Sequence, residues 1–76
     1  MKDLVNHMAQ ALVDDISRVD VKEITTGTTT VIELRVAKED VGKVIGKQGR
    51  TAQAIRTILA AVSSKKHTRT VLDIID

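Results

Sequence analysis

Apolar residues recur with a helical period near the start of the chain. Val5, Met8, Leu12 and Ile16 step by three, four and four, which places them on one face of a helix. Asp3 stands where an N-cap would, and Asp14 and Asp15 fall at the far end, against the helix dipole, so that end is expected to fray. The pattern then weakens. Val19 and Val21 open a strand to about Thr25, interrupted by Asp20, Lys22 and Glu23, as suits a sheet edge. Thr26-Gly27-Thr28 supplies a turn. Beyond it Ile32, Leu34 and Val36 alternate with Glu33 and Arg35, the period of a strand with one buried face.

Helical spacing returns at Val41, Val44 and Ile45, predicting a short helix over 39–45 with Asp40 and Lys43 on its exposed side. A longer helix is predicted from Thr51 to Ser64, with Ile55, Ile58, Leu59 and Val62 as its buried stripe and Gln53, Arg56 and Thr57 facing away. Lys65 and Lys66 suit its C-terminus. Thr70 to Ile75, rich in β-branched residues, is the last strand. The order is helix, strand, strand, helix, loop, helix, strand. A tight turn pairs the first two strands antiparallel, and the two-helix crossover is long enough to return the third parallel to its neighbour. The expected architecture is α+β, one domain over residues 1–76, with a three-stranded mixed sheet and the helices on one face.

Between the last two helices runs Val44-Ile45-Gly46-Lys47-Gln48-Gly49-Arg50. Glycine carries no side chain to hold a ligand away, so Gly46 and Gly49 let the main chain approach a sugar-phosphate in conformations other residues resist. Lys47 and Arg50 add positive charge, and the helix that follows offers unpaired N–H groups to an anion. The expectation is a phosphate clamp whose amides between residues 46 and 50 lie open to solvent.

Charge sharpens this picture. The chain has a formal charge of only +2, yet residues 38–69 hold eight basic side chains against Glu39 and Asp40, a local +6. Residues 1–37 carry 4 basic against 6 acidic side chains, and Asp73 and Asp76 follow at the end. A positive field of this kind draws in a polyanion.

Composition removes other functions. Without Phe, Tyr or Trp the core rests on aliphatic side chains, and no aromatic platform exists for base stacking. Cysteine is absent and the two histidines, His7 and His67, are far apart in sequence, so no metal site or cofactor is expected. No leader-like or membrane-spanning apolar run occurs, which predicts a cytoplasmic protein. A nucleotide-binding P-loop needs four residues between its glycines and then Lys-Ser/Thr. Here three residues separate Gly42 from Gly46, and Gln48 follows Lys47. The dinucleotide motif Gly-x-Gly-x-x-Gly fails too, and no serine has a triad-like setting. The chain is not expected to be an enzyme.

The element order, with Gly-x-x-Gly between the second and third helices, resembles a KH domain of the bacterial (type II) topology. Gly42-Lys43-Val44-Ile45-Gly46-Lys47-Gln48-Gly49-Arg50 fits that family's Ile-Gly-x-x-Gly signature, and the free-standing single domain is similar to the small bacterial RNA-binding proteins of the KhpA family. The resemblance implies a site for about four single-stranded nucleotides, the backbone passing over the loop and the bases facing an apolar groove. It implies that Gly46 to Gly49 form the clamp, with Lys43, Lys47, Gln48, Arg50 and Arg56 on the ligand side. Val44, Ile45 and Ile55 would shape the groove, and the strand edge near Leu72 would meet the bases. Ala52 departs from the larger aliphatic residue of many KH domains, a difference the resemblance ties to groove depth.

The resemblance further implies an RNA chaperone or post-transcriptional regulator that forms a homodimer, or a heterodimer with a larger KH-domain protein, and that acts on cell-wall homeostasis and cell length. No membrane or small-molecule substrate is implied. Two other readings stand beside it. The glycine pair alone fits a ligand-free helix corner, and the fold can serve chiefly as a dimerisation module whose partner makes the main RNA contacts.

Overall fold

The computed structural model describes residues 1–75, and Asp76, counted above with the acidic C-terminus, lies outside them. Three α-helices, α1 (Lys2–Leu12), α2 (Val41–Ile45) and α3 (Arg50–Lys65), combine with strands β1 (Asp20–Thr26), β2 (Thr29–Arg35) and β3 (Arg69–Ile75). The sheet order is β1-β2-β3, β1 antiparallel and β3 parallel to β2. This is the mixed α+β topology that the element order predicts.

Gly27, at φ +61, leads the two-residue turn that joins β1 to β2. Register then decides which residues are buried. Val21 stands opposite Leu34, and Ile32 beside Leu72, on the helix-covered side. Ile32 and Leu34 are completely buried and form the core with Val5, Ala9, Val44, Ile55 and Leu59. Ile24, Val31 and Val71 make one cross-strand row on the other face.

Several local expectations are corrected. The first helix begins after Met1 with no side-chain cap, so Asp3 sits in its first turn instead of capping it. It also stops at Leu12, ahead of the two aspartates. Ile16 leaves the helical stripe for a separate 3-10 turn, Ile16–Arg18, and is exposed. Asp14 and Asp15 do not fray a helix end, because both are tied to the start of α2.

The stripe on α3 is rotated from the predicted one. Ala52, Ile55, Leu59 and Ser63 face the core, whereas Ile58 is 44 % exposed and Val62 is only partly covered. Ser63 can replace a hydrophobe there because its hydroxyl donates to the Leu59 carbonyl at 2.7 Å and pairs with the Thr70 hydroxyl, so nothing polar is left unsatisfied. Asp40, expected on the exposed side of the short helix, is instead 2 % exposed.

Candidate nucleic-acid interface

The short helix α2 ends at Gly46, whose φ of +77 and ψ of 172 lie in a region nearly reserved for glycine. A 3-10 turn, Lys47–Gly49, follows, with Gln48 at φ 58 and Gly49 at φ +74 in the left-handed region. The two glycines serve different ends. A Cβ at position 46 would lie 2.9 Å from the backbone nitrogen of Thr51, so that position is closed by packing. At Gly49 a Cβ would meet nothing within 4 Å, which leaves open space over the second glycine.

Not every amide of the loop is free, contrary to the expectation from sequence. The Gly46 N–H donates to the Gly42 carbonyl at 2.9 Å, the Gly49 N–H to the Gly46 carbonyl at 3.1 Å, and the Arg50 N–H to Lys47. These bonds hold the turn in shape. The first turn of α3 has no side-chain cap, so no side chain occupies its donors.

Lys47, Gln48 and Arg50 are exposed around this turn, and the Arg50 guanidinium donates to the Gln48 side-chain carbonyl at 3.3 Å. One turn further along α3, a groove of about 420 Å³ opens between the helix and β3. Gln53, Arg56, Thr57 and Ala60 form its helical wall, and Arg69, Thr70, Val71 and Leu72 its strand wall. Because β3 pairs only with β2, its outer edge stays unpaired, offering backbone donors and acceptors. Arg56 spans the groove, its guanidinium donating to the Leu72 carbonyl at 3.4 Å.

The residues singled out in the sequence are not all brought to one surface. Gly46, Lys47, Gln48, Gly49 and Arg50 form the loop surface, and Arg56 lies in the groove beside the Leu72 main chain. Val44, Ile55 and Leu72 have their side chains in the core, while Ile45 is 38 % exposed. Ala52 is likewise buried, so its small size bears directly on core packing.

Lys43 stands apart. Its ammonium donates to Asp14 at 2.5 Å and to Asp40 at 3.1 Å. These hydrogen bonds, first that to Asp14, raise its pKa above the ordinary lysine value. Asp40 is held below the usual carboxylate range, chiefly by the Asp15 backbone N–H at 3.0 Å. Lys43 adds to this, and burial opposes it. Nor is the basic charge gathered at the loop as the sum along the chain suggests, since Lys65 and Lys66 lie at the opposite end of α3. Sequence reasoning missed Gln53, Thr57, Arg69 and Thr70. The first two flank Arg56 on one helical face, a signal that was present in the spacing.

Among the described residues no cluster of three or more His, Asp or Glu side chains could hold a metal, and no helix is long and apolar enough to cross a membrane.

A three-stranded mixed sheet covered by helices, with Gly-x-x-Gly joining two of them beside an open strand edge, defines a KH domain. The profile of the KhpA/KhpB KH domain matches residues 2–74. Among curated proteins, RNA-binding protein KhpA of Caldanaerobacter subterraneus is 52 % identical over 99 % of this chain and all of its own length. Those of Halalkalibacterium halodurans and Aquifex aeolicus are 53 % and 51 % identical over the whole chain, covering 100 % and 96 % of the relatives. No solved structure gives a significant match. The chain belongs to the KhpA/KhpB KH-domain family.

Proposed function

We propose that this protein binds single-stranded RNA without catalysing a reaction, seating a phosphate over Gly46–Gly49 and laying the following bases along the groove between α3 and the free edge of β3. The observation that carries this reading is the open space over Gly49 beside Lys47 and Arg50, continuous in sequence with a groove that holds Arg56. The names of the relatives, RNA-binding protein KhpA, support it. Bases meet backbone groups of β3, and Arg56 beside them adds a third cation for the RNA backbone. Without aromatic platforms binding is permissive and weak per domain.

A second KH domain held close to the first raises such affinity through effective concentration. One surface favours association. The α1–α3 groove, about 290 Å³, is almost wholly apolar and is lined by Met8, Ala11 and Leu12 of α1 and by Thr51, Ala54, Ile55 and Ile58 of α3. Ile58 is 44 % exposed within it. We infer that this face takes a second copy of the chain or the KH domain of a larger partner. In that setting the protein acts in the cytoplasm as an RNA chaperone or post-transcriptional regulator, with effects on cell-wall homeostasis and cell length.

The test replaces Lys47 and Gln48 together by Asp. Single-stranded RNA binding, followed by fluorescence anisotropy, is expected to vanish while the circular dichroism spectrum stays native, because both side chains are exposed. Binding equal to the parent's would remove the clamp. Sizing the chain alone separates the rival reading, since a tight dimer indifferent to RNA marks a dimerisation module.

A further inference from the structure

We propose that Asp40 and Lys43 are positioning residues of the clamp, a strut that fixes α2 and with it Gly46, and that Lys43 does not itself pair with phosphate. The proposal rests on the RNA-binding reading for its consequence but not for its geometry.

The strut adds to a small packing contact of α2, in which Val44 enters the core and Val41 lies against it. A five-residue helix is far too short to be stable alone, and this one contains Gly42, which weakens it further. Val44 is its one buried side chain. Its N-terminal flanking residue, Asp40, makes no side-chain capping bond to the α2 backbone. One carboxylate oxygen accepts the Asp15 N–H at 3.0 Å and the other accepts from Lys43 at 3.1 Å, while Lys43 also reaches Asp14. The segment after α1 is therefore pinned to both ends of the first turn of α2. Asp40 is the one buried charged side chain among the described residues. A buried carboxylate persists where its hydrogen bonds are complete, and removing one partner leaves the other uncompensated.

Only Val44 and Ile45 lie between Lys43 and Gly46, where the helix ends. The Gly46 N–H bonds back to Gly42, and Gly49 bonds back to Gly46, so any movement of α2 is passed into the turn. Lys43 differs from Lys47, Arg50 and Arg56 in this respect. Those three make no ion pair in the described residues, whereas the Lys43 charge is already met by two carboxylates.

The experiment compares Lys43→Met and Asp40→Asn with Lys47→Met, and has two arms. In the first, binding of a single-stranded RNA octamer is measured across salt concentrations. Lys43→Met and Asp40→Asn are expected to weaken binding by about fivefold or more, within the range of couplings between linked sites, with the log–log salt slope unchanged. Lys47→Met is expected to lower that slope by about 0.7, the loss of one phosphate contact on a single strand. In the second arm, hydrogen exchange of the RNA-free protein is expected to quicken at the Gly46 and Gly49 amides, while those of Ile32 and Leu34 stay as in the parent. A general loss of stability would quicken all four.

A lower salt slope for Lys43→Met overturns the proposal, and so does parental affinity or unchanged loop exchange in that variant. Should Asp40→Asn not fold, Lys43→Met decides alone, since its side chain is 44 % exposed. Failure of the parent to bind RNA removes the functional reading, and the exchange arm then still decides whether the strut holds the loop.

Discussion

Thr51 closes over the Cα of Gly46. A Cβ built at position 46 would approach the Thr51 backbone nitrogen to 2.9 Å and its side chain more closely still, so the first turn of α3 is seated directly on the first glycine of the loop. Gly49 has no such neighbour.

This asymmetry separates two substitutions that look alike in sequence. Gly46→Ala meets both the clash and a backbone conformation that costs about 1–3 kcal/mol for other residues. Gly49→Ala meets only the left-handed penalty, about 1–2 kcal/mol. Thermal unfolding is expected to show the first variant melting well below the second, at about 4–8 °C per kcal/mol in a domain of this size. Equal melting temperatures would contradict the packing role given to Thr51.

RNA binding is expected to depend modestly on salt. With Lys47, Arg50 and Arg56 as three phosphate contacts, each contributing about 0.7 on a single strand, the log–log slope lies near 2. A slope near zero would leave the cationic loop without a role, and one above about 4 would require charges beyond this site.

The ion-pair network sets limits on stability at both ends of the pH scale. Asp40 has a lowered pKa in the folded chain, so its stabilisation is present above the unfolded carboxylate value of 3.8 and is lost as pH falls through the folded value. Lys43 has a raised one, so its share is present below 10.5 and is lost as pH rises through the folded value. Denaturant unfolding across pH is expected to show a weaker acid limb in Asp40→Asn than in the parent. A parental acid limb in that variant would show that the carboxylate carries none of the acid sensitivity.

Ile58 offers a test of association. Being 44 % exposed, it can become Asp at little cost to the fold, and surface changes of this kind lie within about 0.5 kcal/mol. Ile58→Asp is expected to shift a self-associated form to the monomer in analytical ultracentrifugation while the melting temperature of the monomer is kept. An unchanged mass would clear the α1–α3 groove of that function.

Much of this architecture is legible in the sequence. The alternation of Ile32, Leu34 and Val36 marked the central strand, the turn at Gly27 set the hairpin, and the crossover length set the parallel return of β3. What remained hidden came from tertiary contacts that local spacing does not encode. Asp40 looked like an exposed helix residue because its partner, the Asp15 N–H, lies 25 positions away. Ile58 looked buried because it fits the helical period as well as Ala52 and Ser63 do. The choice was made by the rotation of α3, which turns Ser63 inward, where its hydroxyl meets that of Thr70 on β3. At the site, the loop and Arg56 could be found from sequence, whereas Arg69 and Thr70 became groove residues only once β3 was placed beside α3.

The central claim concerns where RNA lies, and backbone amide chemical shifts read that position directly. Titrating the labelled protein with a single-stranded RNA tetranucleotide is expected to move the resonances of Lys47 through Arg50, of Arg56, and of Arg69 through Leu72, and to leave Met8, Ala11 and Leu12 in place. Shifts confined to the α1–α3 groove, or none at saturating RNA, would contradict it.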